Sequence, residues 1–258
     1  MARDYQYNYS ELKPSVFNAT KRERKANTMV RVCRDYCGEQ GVDIENLTLL
    51  DVGSSSGIID NYLADHFGEV HGIDIDETGM RHARETFTKQ NLFFAAGDAM
   101  ALTQQDNSID VIVCSQVYEH VPDAAQMFTE IHRVLRPGGF CYFAGNNRLM
   151  YMEPHYQLPL LSVIPRPLAH YYLRMAGKGD YYHEKHFSYW GLRRLCRDFH
   201  IVDYSRKVIA EPERFGADYM LKPGSTRQRL ANIVASTMPW LAPHIWLLQK
   251  PATTAPAG

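Results

Sequence analysis

The hydrophobic positions of this chain fall into short apolar runs that are separated by helical segments. Such runs occupy residues 49–52, 69–74, 92–96 and 108–114, and a Pro-Gly-Gly turn at 137–139 leads into a fifth. Apolar runs of this length suit strands that are buried on both faces of a parallel sheet. The repeated order of strand, helix and strand therefore predicts an α/β fold.

Small residues follow the first run, and an acidic residue lies at or just beyond the end of each of the first three. Gly53 and Gly57 allow a sharp turn in which the backbone approaches a ligand closely. Asp74 follows Asp51 by 23 positions, near the roughly 20-residue spacing at which a strand-end carboxylate meets a ribose diol. Asp98, just beyond the third run, suits an exocyclic amine. Three strand ends are thus expected to converge on one nucleoside-like ligand.

The small-residue turn departs from the dinucleotide fingerprint G-x-G-x-x-G. Its glycines have the spacing G-x-x-x-G, and Ser55 occupies the position where a middle glycine is expected. This spacing gives little support to a pyrophosphate cradle. A nicotinamide-dependent oxidoreductase is therefore the weaker alternative, and a purely structural strand-turn-helix corner is another.

Taken together, the motifs resemble those of class I S-adenosylmethionine-dependent methyltransferases, in particular the methyltransferase type 11 group. The resemblance covers about residues 47–146 and rests on the segments 51–57, 71–76, 97–99, 110–123 and 133–140. It implies a Rossmann-like, doubly wound seven-stranded sheet of order 3-2-1-4-5-7-6, with the last strand antiparallel. It also implies S-adenosylmethionine as the cofactor.

The resemblance further implies which residues hold that cofactor. Asp51, Gly53 and Gly57 would surround its methionine part. Asp74 would hold the ribose, and Asp98 with its neighbour would meet the adenine. The complete predicted set is Asp51, Gly53, Ser54, Ser55, Gly57, Asp74, Ile75, Asp98, Ala99 and Ser115.

Histidines supply the candidate chemistry. His120 follows the fourth predicted strand and, with an unperturbed pKa near 6.5, is a candidate base for a hydroxyl proton; a wall residue that positions a loop is the alternative. His155 and Tyr156 are expected at the same rim as substrate contacts. His183 and His186 are also predicted substrate contacts, because an i, i+3 pair on a helical face lacks a third metal ligand. No metal site is predicted.

The strand-helix order breaks at about residues 147–187, where Pro, Tyr, Leu and His are frequent. Open α/β sheets bind ligands at the carboxyl ends of their strands, so this insertion after strand 5 is expected to roof the acceptor half of the pocket. Residues 1–46 are predicted to form an N-terminal helical cap, 47–250 the methyltransferase domain, and 251–258 a disordered tail.

Periodicity predicts the elements that flank these motifs. A helix is expected over residues 20–37, ahead of the first strand, and another over 188–199. A strand over 201–210, a helix over 226–237 and a short final strand over 244–249 complete the seven-stranded sheet.

Composition limits the choice of partners. The chain has 258 residues, 45% of them hydrophobic, and a formal net charge of −1, which favours a large core and no nucleic-acid partner. The basic cluster 21–25 is predicted to be a solvated helix face, with a patch for anionic lipid or acidic substrate as the alternative. The apolar segment 158–165 is expected to pack a cap onto the domain, and a peripheral membrane contact is its alternative.

Five cysteines without the spacing of a metal site or a disulfide framework indicate a reducing compartment. No signal-like segment or membrane-spanning run is recognised, so the predicted localisation is cytoplasmic. The sequence thus predicts an S-adenosylmethionine-dependent methyltransferase acting on a small-molecule, glycan or lipid-linked acceptor, with O-methylation preferred. N- or C-methylation and a non-catalytic cofactor-binding scaffold remain alternatives.

Overall fold

The computed structural model describes residues 7–252 and contains one large sheet. The strands are β1 Thr48–Val52, β2 Glu69–Asp74, β3 Leu92–Ala96, β4 Ile109–Ser115, β5 Leu135–Gly145, β6 Met152–Glu153, β7 Leu158–Pro159, β8 His200–Asp203 and β9 His244–Gln249. Seven of them are ordered β3-β2-β1-β4-β5-β9-β8, and β6 pairs with β7 in a separate hairpin. The strands β1 to β5 run parallel, whereas β9 is antiparallel to both β5 and β8. The predicted order is confirmed, with β8 and β9 as the sixth and seventh strands of the sheet.

Helices cover both faces of this sheet. They are α1 Tyr9–Leu12, α2 Ala19–Gly38, α3 Ile58–Leu63, α4 Glu77–Thr86, α5 Ala124–Val134, α6 Arg166–Met175, α7 Tyr189–Leu195, α8 Ser205–Ala210 and α9 Thr226–Thr237. In β4, Val111 and Val113 enter the core shared with α2 and α3, whereas Ile112 and Cys114 enter the core shared with α5 and α7. Burial on both faces explains why the central strands are apolar without alternation.

The long helix α2 lies within the domain. Asn18 caps its start by accepting a hydrogen bond from the backbone N–H of Lys21. Ala26, Met29 and Val30 are buried in the same core as β1 and β4. This packing brings the first turns of α2, which carry the basic cluster, toward the carboxyl ends of the strands.

The predicted strand over 201–210 is wrong beyond Asp203. Strand β8 ends at Asp203, whose Oδ1 accepts a hydrogen bond from the N–H of Ser205 at 2.8 Å, and α8 begins there. Such a side-chain turn offers the backbone an alternative to the strand ladder. The β-branched Val208 and Ile209 favour a strand by propensity, but both are buried from the helix, so tertiary packing overrides the local preference.

The insertion after β5 contains the β6–β7 hairpin, α6 and an extended segment. The segment 180–188 is not helical, so the predicted helical face for His183 and His186 is wrong. Within residues 7–252, no helix combines the length and apolarity that crossing a membrane requires. The predicted disordered tail falls almost entirely outside the described residues.

Candidate functional site

A cavity of about 270 Å³ opens at the carboxyl ends of β1, β2 and β4. Gly53 lines it just after β1, Asp74 at the end of β2, Ala99 beyond β3 and Ser115 at the end of β4. Chain order reverses between β1 and β4, the switch point at which open α/β sheets bind ligands.

Two positions of the small-residue turn expose their backbone to this cavity. Gly53 has φ +90°, and a Cβ there would collide with Cγ2 of Val117. Ser55 adopts φ 58°, a left-handed conformation at the position where a glycine was expected. Its buried hydroxyl has no hydrogen-bond partner among the described residues.

Other residues of the turn hold its shape from behind. A Cβ at Gly57 would lie 2.6 Å from Cβ of Ala83, so this glycine permits close packing of the turn. The Ser54 hydroxyl donates to Asp60 Oδ2 at 2.8 Å, and Asp51 is buried. Of the ten predicted cofactor residues, four do not line the cavity: Asp51, Ser54, Gly57 and Asp98.

Asp74 presents its carboxylate at the edge of the cavity. Its two oxygens accept hydrogen bonds from the N–H of Ser55 at 2.8 Å and of Asp76 at 2.9 Å. Burial raises the pKa of Asp74, and these backbone hydrogen bonds oppose that increase. The contact with Ser55 couples the end of β2 to the turn after β1.

Cations from α2 face this acidic region. Arg22 lines the cavity, and burial lowers the pKa of its guanidinium, whereas the nearby Asp51 and Asp74 raise it. Lys25 lines the same cavity one turn later. The predicted solvated face agrees with the exposure of the cluster 21–25, in which only Arg22 is half-buried, but it did not anticipate that Arg22 and Lys25 also line the cavity. The i, i+3 spacing, which puts both cations on one side of α2, was the available signal.

The carboxyl end of β4 and the segment after it form the other end of the cavity. Gln116 adopts φ 60°, and its N–H donates to the carbonyl of Ala144 on β5 at 2.8 Å. His120 follows, with its ring centroid 5.3 Å from that of Tyr9 and 4.9 Å from that of His155. Burial, reinforced by the neighbouring imidazoles, lowers the pKa of His120 to about 3. The ring is therefore neutral at physiological pH, and its Nδ1 has no described hydrogen-bond partner.

A buried network joins the insertion to His120. Glu153 Oε1 lies 2.7 Å from His155 Nδ1 and 3.4 Å from His186 Nε2. Burial alone would raise the pKa of Glu153, but the hydrogen bonds from both histidines outweigh it and lower the pKa to about 2. The ligand atoms of these three residues are close enough to hold a metal ion, as are those of Glu119, His120 and His155. In the first group Glu153 already has two imidazole partners, and these hydrogen bonds compensate its burial.

The predicted substrate residues are dispersed. Of the four, His155 lines the cavity, whereas His186 is buried against Glu153. The Tyr156 hydroxyl donates to the carbonyl of Tyr181 at 3.4 Å. His183 lines a different cavity of about 290 Å³, which shares His120 with the first.

Comparison with known proteins agrees with this geometry. Residues 50–143 match the family described as methyltransferase domain. Over 151 residues, 57% of this chain, the sequence is 32% identical to a ubiquinone biosynthesis O-methyltransferase of Hydrogenovibrio crunogenus. The chain covers 58% of that relative's length.

Solved structures show the same fold. A methyltransferase of Methanosarcina mazei described as S-adenosylmethionine-dependent superimposes with a TM-score of 0.52 at 20% identity, covering 81% of this chain and 94% of the other. The [4+2]-cyclase SpnF gives a TM-score of 0.52 at 18% identity, covering 86% of this chain and 81% of the other.

The sheet order is that of the class I S-adenosylmethionine-dependent methyltransferase fold, and the segment 50–143 matches the methyltransferase domain family. S-Adenosylmethionine is the cofactor that this family and fold imply. The residues present fit it: Asp74 offers a carboxylate for a diol, Arg22 a cation for a carboxylate, and the bare backbone of Gly53 the close approach that a Cβ would block.

Proposed function

We propose that this protein is an S-adenosylmethionine-dependent methyltransferase that transfers a methyl group to an oxygen atom of a small molecule. The observation that carries the proposal is the cavity that extends from Asp74 to His120 across the carboxyl ends of the central strands. The O-methyltransferase name of the relative favours oxygen as the accepting atom. Transfer to nitrogen or carbon, or to a glycan or lipid-linked acceptor, is the alternative.

The proposal assigns the cofactor contacts along this cavity. Asp74 accepts hydrogen bonds from the ribose hydroxyls, and Ile75 with Ala99 contacts the adenine. Arg22 pairs with the carboxylate of the methionine part. Gly53, Ser55 and Ser115 border that part, and the residues behind the turn are Asp51, Ser54 and Gly57.

Asp98 has a supporting position beside the adenine end. Its Oδ1 accepts a hydrogen bond from the N–H of Met100 at 2.7 Å, and its backbone bridges to Ala101. We propose that this turn presents Ala99 to the adenine, because Ala99 lines the cavity directly.

S-Adenosylmethionine supplies a methyl group on a positively charged sulfur when it is bound. The contribution of the chain is alignment of the acceptor, which in well-oriented systems lowers the barrier by up to about 7–11 kcal/mol. Ser115 and Gln116 end β4 at the transfer end, where the hydrogen bond to Ala144 fixes the backbone. His120 accepts the hydroxyl proton, because its neutral ring lines this cavity and its Nδ1 has no described hydrogen-bond partner.

Titration calorimetry of S-adenosylmethionine tests the cofactor assignment. We expect Asp74→Ala to weaken binding about 10- to 150-fold, corresponding to the roughly 1.5–3 kcal/mol of a charged hydrogen bond. Asp198→Ala, which removes an exposed carboxylate, is the matched control and should bind as the wild type does. Equal affinities for both variants would contradict the assignment.

The transfer itself is tested by incubating the wild type with a metabolite extract and methyl-labelled cofactor. Label in an ester or ether supports oxygen transfer, and label in an amine or on carbon identifies the alternatives. Tight cofactor binding without any labelled product across extracts would overturn the proposed activity.

A further inference from the structure

A second cavity adjoins the first at the proposed transfer end. Its volume is about 560 Å³, within the range of small-molecule sites, and it shares Lys25, Ser115, Gln116 and Pro154 with the first cavity. These shared residues lie at the end of β4, near the start of α2 and in the insertion. A molecule in the second cavity therefore reaches the same strand end as a cofactor in the first.

The walls of the second cavity are mostly apolar and come from helices outside the predicted insertion. Met29 belongs to α2, Val208 and Ile209 to α8, and Ala231 to α9. His244 also lines it, and burial lowers the pKa of that imidazole to about 4, so the ring adds no positive charge at neutral pH. Such walls suit an apolar occupant.

Two cations line this cavity, and no Asp or Glu does so among the described residues. Lys25 and Arg227 have no hydrogen bond or ion pair with a described protein group, unlike the paired Arg133 and Lys207 elsewhere on the surface. Both side chains are exposed, so they can turn toward an occupant of the cavity. An anionic group on the occupant would be attracted to the two cations.

We propose that the second cavity is the acceptor site and that the acceptor is a mostly apolar small molecule carrying an anionic group, which Lys25 and Arg227 recognise. That the occupant is a methyl acceptor rests on the proposed function, but the binding of a ligand in this cavity and its preference for an anion are testable without it. It moves acceptor recognition from the insertion to the helical wall formed by α2, α8 and α9.

Two fluorescent probes test the cavity directly: the anion 8-anilinonaphthalene-1-sulfonate and the neutral N-phenyl-1-naphthylamine. Ala231→Phe fills the cavity and should weaken both probes at least tenfold. Ser236→Phe, on an exposed position of the same helix that does not line the cavity, should change neither more than twofold. Unchanged probe affinity in Ala231→Phe would overturn the proposed site.

Charge variants test the occupant. Lys25→Gln and Arg227→Gln should each weaken the anionic probe at least threefold and leave the neutral probe within twofold. Arg229→Gln, an exposed α9 cation outside the cavity, is the control. Laurate should displace the anionic probe at lower concentration than dodecanol does. Equal losses for both probes, or equal displacement by acid and alcohol, would overturn the anionic preference.

Cofactor calorimetry and the labelled extract then connect the cavity to transfer. Ala231→Phe should retain wild-type affinity for S-adenosylmethionine but lose at least tenfold in label incorporation relative to Ser236→Phe. Loss of probe binding with full incorporation would show that the acceptor binds elsewhere. Absence of incorporation in every protein, with probe results as expected, would instead indicate failure of the proposed function alone.

Discussion

Two walls enclose the candidate site, and they differ in how their residues are arranged along the chain. The strand-end wall comes from β1 to β4 and lies within residues 50–143, where Gly53, Asp74, Ala99 and Ser115 lie at or shortly beyond the end of a strand. The helical wall comes from α2, α8 and α9, and more than a hundred residues separate α2 from the other two helices. Sequence motifs predict the strand-end wall because the end of a strand fixes the local geometry of its residues. The helical wall forms only where helices distant in sequence pack together, so no local motif predicts it.

The comparison also separates two kinds of charge. On the strand-end wall, Asp74 has fixed partners in the backbone of Ser55 and Asp76. On the helical wall, Lys25 and Arg227 lack described protein partners. We infer that the first wall is preorganised for one ligand shape, whereas the cations of the second gain partners only from the molecule that binds there.

The largest effect is expected from Gly53→Val on the strand-end wall. The positive φ and the position of Val117 leave no room for a branched side chain, so cofactor affinity should fall more than a hundredfold. Calorimetry measures the loss, and circular dichroism checks the fold. In case the valine variant does not fold, Gly53→Ala is compared with Gly53→Ala combined with Val117→Ala. The second substitution should recover part of the affinity, and no recovery would contradict the steric argument.

His120 lines the first cavity beyond the end of β4, and its removal tests the chemistry. We expect His120→Ala to lower kcat about 10²-fold, the low end for general bases, because a ring with a pKa of about 3 is a weak base. Cofactor affinity should change less than threefold. His132→Ala, at a half-buried histidine away from the cavity, is the control. A decrease smaller than tenfold would assign His120 to positioning.

Substitution of Arg22 tests whether helix α2, part of the helical wall, also binds the cofactor. Arg22→Gln should weaken S-adenosylmethionine about tenfold or more, since a charged hydrogen bond contributes roughly 1.5–3 kcal/mol. Lys21→Gln, at an exposed position one residue earlier, should have no measurable effect. Identical calorimetric curves for the two variants would restrict cofactor binding to the strand-end wall.

The smallest effect is expected on the free energy of unfolding and concerns Asp60, which accepts a hydrogen bond from Ser54 in the turn after β1. Burial raises the pKa of Asp60 to about 7, above the unfolded value near 3.9, so the folded state binds this proton more tightly. The associated stability is complete below about pH 4 and is lost as the pH rises through 7. Asp60→Asn keeps an oxygen that accepts the hydrogen bond from Ser54. The free energy of unfolding of the cofactor-free variant, relative to the wild type, should be about 1–2 kcal/mol larger at pH 8 than at pH 5. Urea unfolding at both pH values measures these free energies. A difference between variant and wild type that does not depend on pH would contradict the raised pKa of Asp60.

The sequence by itself determined the parallel sheet and the strand-end wall. Continuous apolar runs specify strands buried on both faces, and the turn after β1 requires small residues because of its positive φ values. The order of the strands followed from the family resemblance, and the structure confirms it. Even Ser55, noted as a departure from the expected glycine, occupies a left-handed position.

Only the tertiary structure decided what α2 and the C-terminal helices do. A basic run on a helix is equally compatible with solvent and with a cavity, and the packing of Ala26 and Met29 against the sheet selects the cavity for Arg22 and Lys25. The half-strand, half-helix outcome at β8 and α8 has the same origin, because Val208 satisfies its burial from either conformation. Strand ends place residues through local geometry, whereas helix faces acquire their neighbours only when the whole chain is folded.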